Sequence, residues 1–217
     1  MGQPVIDYWF TTGSTYNYLT AMRLPQVAAS TGLAFRWRPF DLRTLFDERG
    51  YFPFPKGSPK TVYMFRDIER RAAWHGIPIA LPVPYPLPDS LTANLVALLG
   101  IREGWGIDYI RAAYRRWFQE GQPTGVDPNL SASLAEIGQD SERVLALATS
   151  AANRAALAAE TDVARSIGLV GSPSFVVDGE VFWGDDRLED AVAWARHGTL
   201  AAATAERARI EGTPAGY

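Results

Sequence analysis

Ser14 is the first residue whose type and position could do chemistry. It follows Thr11-Thr12-Gly13, where a short apolar run ends and a helical pattern begins. The first backbone N–H groups of a helix are unpaired, and the positive end of the helix dipole stabilises an anion such as a thiolate. An ordinary helix N-cap would also place a serine here. A hydrolase nucleophile is less well supported, because Gly-x-Ser-x-Gly is absent and the sequence has 2 histidines to serve as a base.

Ser172 and Pro173 form the second candidate, because they lie just before the predicted strand Ser174–Val177. A cis peptide bond at Pro173 would expose the backbone of Ser172 to an extended peptide ligand, which could pair with it as a strand does. A trans proline at the first position of a strand is the other interpretation. The sequence alone leaves the isomer open.

Trp183 to Asp186 form the third candidate. The segment leaves a predicted strand, turns at Gly184 and begins a helix with Asp185 and Asp186 in its first turn. Acidic residues there complement the helix dipole, so capping is one interpretation. A ligand ammonium group held by these carboxylates is the other.

Lys60 and Asp67 lie on the helix predicted to begin at Ser58-Pro59. They are seven residues apart, which is about two helical turns and places both on one face. In isolation such a pair is typical of a solvated charged face.

Composition restricts the chemistry further. The 217-residue sequence contains no cysteine. It therefore offers no disulfide, no C-x-x-C dithiol and no thiolate nucleophile, and any thiol used here must come from another molecule. The formal net charge of −3 argues against nucleic acid or an anionic membrane as a partner and favours small molecules or proteins. No stretch reaches the length of a membrane-spanning helix, and a secretory signal pattern is absent, so we expect a cytoplasmic protein.

The predicted elements must bring these residues together. Val5–Phe10 predicts a strand, a helix follows until Gly32, and the alternating residues 35–40 predict a second strand. Such a βαβ unit contains a parallel strand pair. A block of predicted helices comes next, interrupted by an irregular proline-rich stretch at 78–88.

The last third of the chain returns to strands. Ser174–Val177 and Glu180–Trp183 are joined by Asp178-Gly179, a dipeptide typical of tight hairpins. The whole order predicts an α/β thioredoxin-like (DsbA-like) fold, in which a mixed sheet carries an inserted all-helical domain. We assign residues 1–45 and 156–198 to the thioredoxin-like domain, 46–155 to the helical insertion, and 199–217 to a C-terminal helix or tail.

Six motifs, taken together in chain order, resemble those of the 2-hydroxychromene-2-carboxylate isomerases. These enzymes belong to the DsbA-like thioredoxin superfamily, beside the kappa-class glutathione transferases. The resemblance extends from about Ile6 to Arg196, and the combination is more specific than any single motif. The motifs are Ser14-Thr15-Tyr16-Asn17-Tyr18-Leu19, Arg38-Pro39-Phe40, Lys60 with Tyr63 and Asp67, Gly76-Ile77-Pro78, Gly171-Ser172-Pro173-Ser174-Phe175, and Phe182-Trp183-Gly184-Asp185-Asp186-Arg187-Leu188.

The resemblance implies a glutathione-dependent enzyme, commonly a homodimer, that acts on a small aromatic substrate. Ser14 would be the catalytic serine, whose hydroxyl hydrogen-bonds the glutathione sulfur and favours the thiolate. In dithiol relatives its position holds the nucleophilic cysteine and that of Asn17 the second one. Ser172, ahead of a cis Pro173, would pair its backbone with the glutathione cysteine. The other implied glutathione contacts are Lys60, Asp67, Trp183, Gly184, Asp185 and Asp186, with Asp186 as the partner of the ammonium group, and the implied substrate contacts are Tyr85, Phe46 and Lys56.

The sequence departs from this family pattern at three positions. Thr15 stands where a proline usually follows the catalytic serine, and this change could alter the entry into the helix. Ser172 replaces a typical Val or Ala before the proline. Asp185 replaces a typical Asn or Gln, and its extra charge is expected to repel a glutathione carboxylate.

The implied reaction is reversible addition of the glutathione thiolate to an unsaturated carbon, rotation about the resulting single bond, and elimination of the thiol. Two enzymatic alternatives are a kappa-like glutathione transferase and a disulfide oxidoreductase. A third is a thioredoxin-like binding protein without catalysis. Insertion residues such as Phe46, Phe52, Phe54 and Tyr85 are expected to line the substrate pocket.

Overall fold

The computed structural model describes residues 5–199, 201 and 204. Strand β1 spans Val5–Phe10, helix α1 Tyr16–Thr31 and strand β2 Ala34–Pro39. The hairpin consists of β3, Ser174–Val177, and β4, Glu180–Trp183. Between β2 and β3 lie α2 (Leu42–Glu48), α3 (Pro59–Trp74), α4 (Ser90–Glu103), α5 (Gly106–Glu120), α6 (Asn129–Glu136), α7 (Ser141–Ala148) and α8 (Ala151–Ser166), and after β4 come a short 3-10 turn (Asp185–Arg187) and α9 (Leu188–His197).

The four strands form one sheet in the order β2-β1-β3-β4. β1 runs parallel to β2, whereas β3 is antiparallel to both β1 and β4. The predicted mixed sheet is thereby confirmed. β1 and β3 are the two central strands, and they run antiparallel. The residues that follow β1, from Thr11 onward, therefore lie beside the loop that enters β3. The fold thus brings Ser14 and Ser172 to the same edge.

Local chemistry sets several element ends as predicted. The Ser58 hydroxyl accepts the N–H of Thr61, and Pro59 takes the first position of α3, where a missing N–H costs nothing. Asp178 and Gly179 form the hairpin turn with φ angles of 48° and 87°, as a turn of this kind requires. The prediction that Ser14 caps α1 is wrong, because the N-cap position is Thr15 and no side chain caps this helix.

One continuous hydrophobic core joins the sheet to the inserted helices. Tyr8 on β1 stacks on Phe175 of β3 with ring centroids 5.6 Å apart, and both side chains are fully buried. The same core includes Leu95 of α4 and Trp117 of α5. The helical block therefore packs directly on the sheet and holds the loops at its edge.

The division into domains stays a prediction. α2 and α8 each span one of the proposed boundaries. Of the predicted C-terminal helix or tail, only Thr199, Ala201 and Thr204 are among the described residues. Over the described part of the chain, no helix is both long enough and apolar enough to cross a membrane.

Candidate active site

A cavity of about 550 Å³ opens where the β1–α1 loop, α3, the proline-rich stretch and the β4–α9 turn meet. It has the size of a small-molecule site. Of the residues expected to contact glutathione or the substrate, only Lys56 does not line it, and that side chain is exposed. The residues that the fold brings together are Ser14, Phe46, Lys60, Asp67, Tyr85, Ser172, Pro173, Trp183, Gly184, Asp185 and Asp186.

Ser14 lies between the end of β1 and the first turn of α1. Its hydroxyl donates a hydrogen bond to the backbone carbonyl of Ser172 at 2.8 Å. The two candidate residues, 158 positions apart in the chain, are therefore in direct contact. The side chain is thus aimed across the cavity at the proline loop and leaves the N–H groups of the first turn of α1 without a side-chain acceptor.

A buried polar network holds Ser172 in place. Its hydroxyl oxygen accepts from the side-chain amide of Asn17 at 2.6 Å and from the N–H of Thr11 at 3.0 Å. Asn17 also donates to the Thr11 carbonyl, and its own carbonyl accepts the Tyr8 hydroxyl. The Ser172–Pro173 peptide bond is cis, as the resemblance implied. A Val or Ala in place of Ser172 would leave Asn17 and the N–H of Thr11 short of an acceptor.

The helical insertion reaches the same loop through Asn94 of α4. Its side-chain carbonyl accepts the N–H of Thr12 at 2.8 Å, and its amide donates to the Thr11 hydroxyl at 2.9 Å. From α5, the Tyr114 hydroxyl donates to the carbonyl of Thr11. Asn94 is fully buried. Asn94 was not predicted from the sequence, although an amide within an apolar run of a helix is a usable signal, since buried amides need partners.

One face of α3 forms a charged wall of the cavity. The cavity lining includes Lys60, Tyr63, Asp67 and Arg71 of this helix. Successive members are three or four residues apart, which places all of them on one face. Asp67 accepts the hydroxyl of Tyr16 at 3.0 Å. Burial and this carboxylate raise the pKa of Tyr16, so its phenol stays protonated as the donor.

Lys60 has an aromatic environment rather than an acidic one. Its ammonium donates to the Tyr51 hydroxyl at 3.1 Å and lies 5.0 Å from the ring centroid of Phe54. No carboxylate is within ion-pair distance of it among the described residues. Its charge is therefore available to an anionic ligand.

Asp185 is the centre of a buried ion cluster. Its carboxylate, whose side chain is 0% exposed, accepts Arg71 at 2.6 Å, Arg23 at 3.2 Å and the Thr20 hydroxyl at 2.9 Å. Arg23 also forms an ion pair with Glu189. Two guanidinium groups contact this carboxylate and offset its charge, which weakens the case for repulsion of a ligand carboxylate, and that expectation stays a prediction.

Trp183, Gly184 and Asp186 border the outer part of the cavity. Trp183 is 57% exposed, and the Asp186 carboxylate is exposed and pairs with Arg187 at 2.8 Å. The N–H of Gly184 donates to the carbonyl of Pro173 at 2.9 Å, which ties this turn to the proline loop. Of the two acidic residues, Asp186 is the one with a carboxylate accessible to a ligand.

A second part of the cavity lining is aromatic, and it adjoins Lys60, whose ammonium lies 5.0 Å from the ring centroid of Phe54. Tyr85 packs edge-on against Phe65, with centroids 5.6 Å apart, and Phe46 and Phe54 also line the cavity. Burial raises the pKa of Tyr85 to about 12, with nearby Arg43 opposing the shift. Tyr85 is thus a neutral hydrogen-bond donor at physiological pH, set among apolar surfaces.

The central mixed sheet, with an inserted helical block and a cavity between the start of α1 and a cis-proline loop, defines a thioredoxin-like protein. The chain belongs to the family described as the DSBA-like thioredoxin domain, whose model matches residues 5–193. It is 29% identical over 190 residues to a 2-hydroxychromene-2-carboxylate isomerase of Sphingobium xenophagum, covering 85% of this chain and 94% of that protein. It is 26% identical over 187 residues to the Pseudomonas putida protein of the same name, covering 85% and 90%.

A solved structure titled as a 2-hydroxychromene-2-carboxylate isomerase has the same fold. The TM-score is 0.73 at 22% identity, and the match covers 95% of this chain and 97% of that one. The predicted fold class is therefore confirmed.

Proposed function

We propose that this chain is a glutathione-dependent isomerase of the 2-hydroxychromene-2-carboxylate type. The observation that carries the proposal is the contact between the Ser14 hydroxyl and the Ser172 carbonyl at the start of α1, in a chain without cysteine. This is the place where a thioredoxin-like protein presents a thiol, and here the thiol must be supplied by a ligand. The names of the two curated relatives support the choice of reaction.

Glutathione fits the polar part of the cavity by charge. It carries two carboxylates and one ammonium group, and the cavity lining includes the cations Lys60 and Arg71 and the carboxylates of Asp67 and Asp186. A volume of about 550 Å³ is within the usual range for small-molecule sites and leaves space for a second small molecule.

Bound glutathione supplies a thiolate that adds reversibly to an unsaturated carbon and leaves again after the new single bond has rotated. Ser14 has a single hydroxyl proton, which it donates to Ser172 in the structure. It would turn this donor from the carbonyl to the sulfur when the ligand binds. The uncapped N–H groups of α1 add the positive end of the helix dipole on the same side. Both effects favour the ionised thiol.

The aromatic part of the cavity would hold the substrate ring. Phe46 and Phe54 offer apolar contact, and the neutral phenol of Tyr85 can donate to a substrate oxygen. Lys56 does not line this cavity, and its implied substrate contact stays a prediction. The aromatic part therefore excludes water from the ring while Tyr85 orients it.

Two measurements test the proposal. Calorimetric titration with glutathione is expected to show binding, and conversion of 2-hydroxychromene-2-carboxylate, followed by its absorbance, is expected to require glutathione. Absence of binding at saturating glutathione would support the non-catalytic alternative. Binding with a stable conjugate as the product, instead of the isomer, would support the transferase alternative. A disulfide oxidoreductase would also have to use the glutathione thiol, because this chain has no cysteine, and its product would be a disulfide instead of the isomer.

The position of the Trp183 indole requires that residue 171 be a glycine, because the ring packs against its backbone. A Cβ at Gly171 would lie 2.5 Å from Cε2 of Trp183, so Gly171→Ala must push the exposed indole outward. We expect about 5-fold weaker glutathione binding, from partial loss of an apolar contact, with little change in the unfolding midpoint. In a Trp183→Ala background the same substitution should have no further effect on binding. Equal losses in both backgrounds would show that Gly171 acts through another contact.

The homodimer implied by the resemblance also stays a prediction. Sedimentation equilibrium of the full chain, with and without glutathione, measures it directly.

A further inference from the structure

Arg71 is a cavity cation for which the proposed function names no particular group of the ligand. It lies on the charged face of α3, four residues after Asp67, and its side chain is 27% exposed. Its Nε and Nη2 atoms both donate to Oδ2 of Asp185, at 3.0 Å and 2.6 Å. Nη1 donates to no acceptor in the described part of the chain.

The contact with Asp185 fixes which edge of the guanidinium remains available to a ligand. A guanidinium carries five N–H donors in one plane, and Asp185 occupies one on Nε and one on Nη2. The edge formed by Nη1 and the second hydrogen of Nη2 stays available. This edge is the fork that binds a carboxylate with two parallel hydrogen bonds.

Asp185 can hold Arg71 in one orientation because the Asp185 carboxylate is itself fixed by several partners. The carboxylate is fully buried, and Arg23 and Thr20 bind its other oxygen. A buried carboxylate with partners on both oxygens has no room to reorient. The orientation of Arg71 therefore exists before any ligand arrives, which lowers the entropy cost of binding.

The charge order along α3 gives the ligand a direction. The charges along this face of α3 alternate: Lys60 is positive, Asp67 negative and Arg71 positive. At a helical rise of about 1.5 Å per residue, Asp67 lies roughly 10 Å along the axis from Lys60 and roughly 6 Å from Arg71. Glutathione has a carboxylate at its glycine end, and an ammonium and a carboxylate on the same carbon of its γ-glutamyl end. Because Asp67 is nearer to Arg71 than to Lys60 along the helix, and Asp186 adjoins Asp185, the ammonium belongs at the Arg71 end.

We propose that Arg71, held by Asp185, is the receptor for the α-carboxylate of the γ-glutamyl residue of glutathione. This inference rests on the proposed function, since it needs glutathione in this cavity. Lys60 then faces the glycine carboxylate at the other end. The two carboxylates of the ligand thus meet two cations of α3, and its ammonium group lies near the carboxylates of Asp67 and Asp186.

The experiment compares glutathione with 4-aminobutyryl-cysteinylglycine, which lacks only the α-carboxylate. Arg71→Gln is expected to weaken glutathione binding by about 10-fold or more, as loss of a charged hydrogen-bonded contact does, and to leave binding of the analogue unchanged. Arg66→Gln is the matched control, because Arg66 is an exposed α3 residue paired with Glu69 outside the cavity. It should bind both ligands as the native chain does.

The outcomes separate this inference from the proposed function. If the native chain binds no glutathione, the proposed function fails. If the native chain binds glutathione but Arg71→Gln loses the same affinity for both ligands, or loses affinity for neither, the assignment of Arg71 fails while the proposed function stands. Should Arg71→Gln not fold, Arg71→Lys takes its place, because lysine keeps the charge but lacks the two-donor fork, and it should weaken binding of glutathione but not of the analogue. A γ-glutamylcysteine ethylamide ligand, which lacks the glycine carboxylate, must retain the Arg71→Gln penalty, and its disappearance would assign Arg71 to the glycine end.

Discussion

Ser14→Ala is expected to lower the glutathione-dependent turnover of 2-hydroxychromene-2-carboxylate by about 10- to 100-fold, the range set by one hydrogen bond to a charged group. The native hydroxyl, turned from the Ser172 carbonyl to the sulfur, stabilises the thiolate more than the thiol. Removing it therefore raises the pKa of the bound thiol. The decrease in turnover should be largest at low pH and should shrink as the pH rises and the thiol ionises without help.

Two measurements distinguish this role from a structural one. The thiolate absorbance of bound glutathione, followed against pH, should move to higher pH in Ser14→Ala. The far-ultraviolet circular dichroism and the unfolding midpoint should change little, because Ser14 does not cap α1 and its Ser172 contact is only partly buried. A loss of turnover that is the same at every pH, with an unmoved thiol titration, would contradict the proposed role.

Ser14→Cys offers a positional check of the same site. The native chain has no cysteine, so the new thiolate is the only one, and it can attack oxidised glutathione to form a mixed disulfide while one glutathione thiolate leaves. Ser166→Cys is the matched control, since Ser166 is exposed near the end of α8. Cys at position 14 should react faster, because the cavity binds the glutathione moiety beside it and the start of α1 lowers the thiol pKa. Equal rates would argue against glutathione binding next to Ser14.

The fold was predictable because its signals are local. The Asp178-Gly179 hairpin and the Ser58-Pro59 helix start depend on neighbouring residues only, and both appear where the sequence places them. The order of elements then sufficed for the sheet, since a parallel pair followed by a hairpin leaves few arrangements. The resemblance supplied the cis bond at Pro173.

The interior of the site was less predictable because its contacts are long-range. Asn94 binds a loop 82 residues away, and Asp185 binds Arg71 114 residues away. From the sequence, Asp185 appeared as an added negative charge, since nothing local indicates that two arginines surround it. Arg71 could have been found, because it shares the helical face of Lys60 and Asp67, but a charged face without its tertiary partner is typical of solvent exposure.

Asp185→Ala is expected to lower the free energy of unfolding by about 3 kcal/mol, the lower part of the range for breaking a buried ion pair. The substitution leaves the Arg23 guanidinium, with a side chain 10% exposed, and the Thr20 hydroxyl without their shared acceptor. The value lies at the low end because Arg23 keeps Glu189 and Arg71 is partly exposed. Urea unfolding of the full chain, followed by circular dichroism, measures the change.

Asp186→Ala is the matched control, since it removes a carboxylate from the adjacent position, where the side chain is 49% exposed. An exposed pair contributes at most about 1 kcal/mol, so the two variants should differ clearly in stability. Asp185→Asn separates the two tasks of this residue: it retains an acceptor for Thr20 but loses the charge that orients Arg71, so glutathione binding should fall in the folded protein. Equal stabilities for the alanine variants would mean that the arginines find water or other acceptors once the carboxylate is gone. Arg71 would then be oriented by α3 itself, and Asp185→Asn would leave glutathione affinity unchanged.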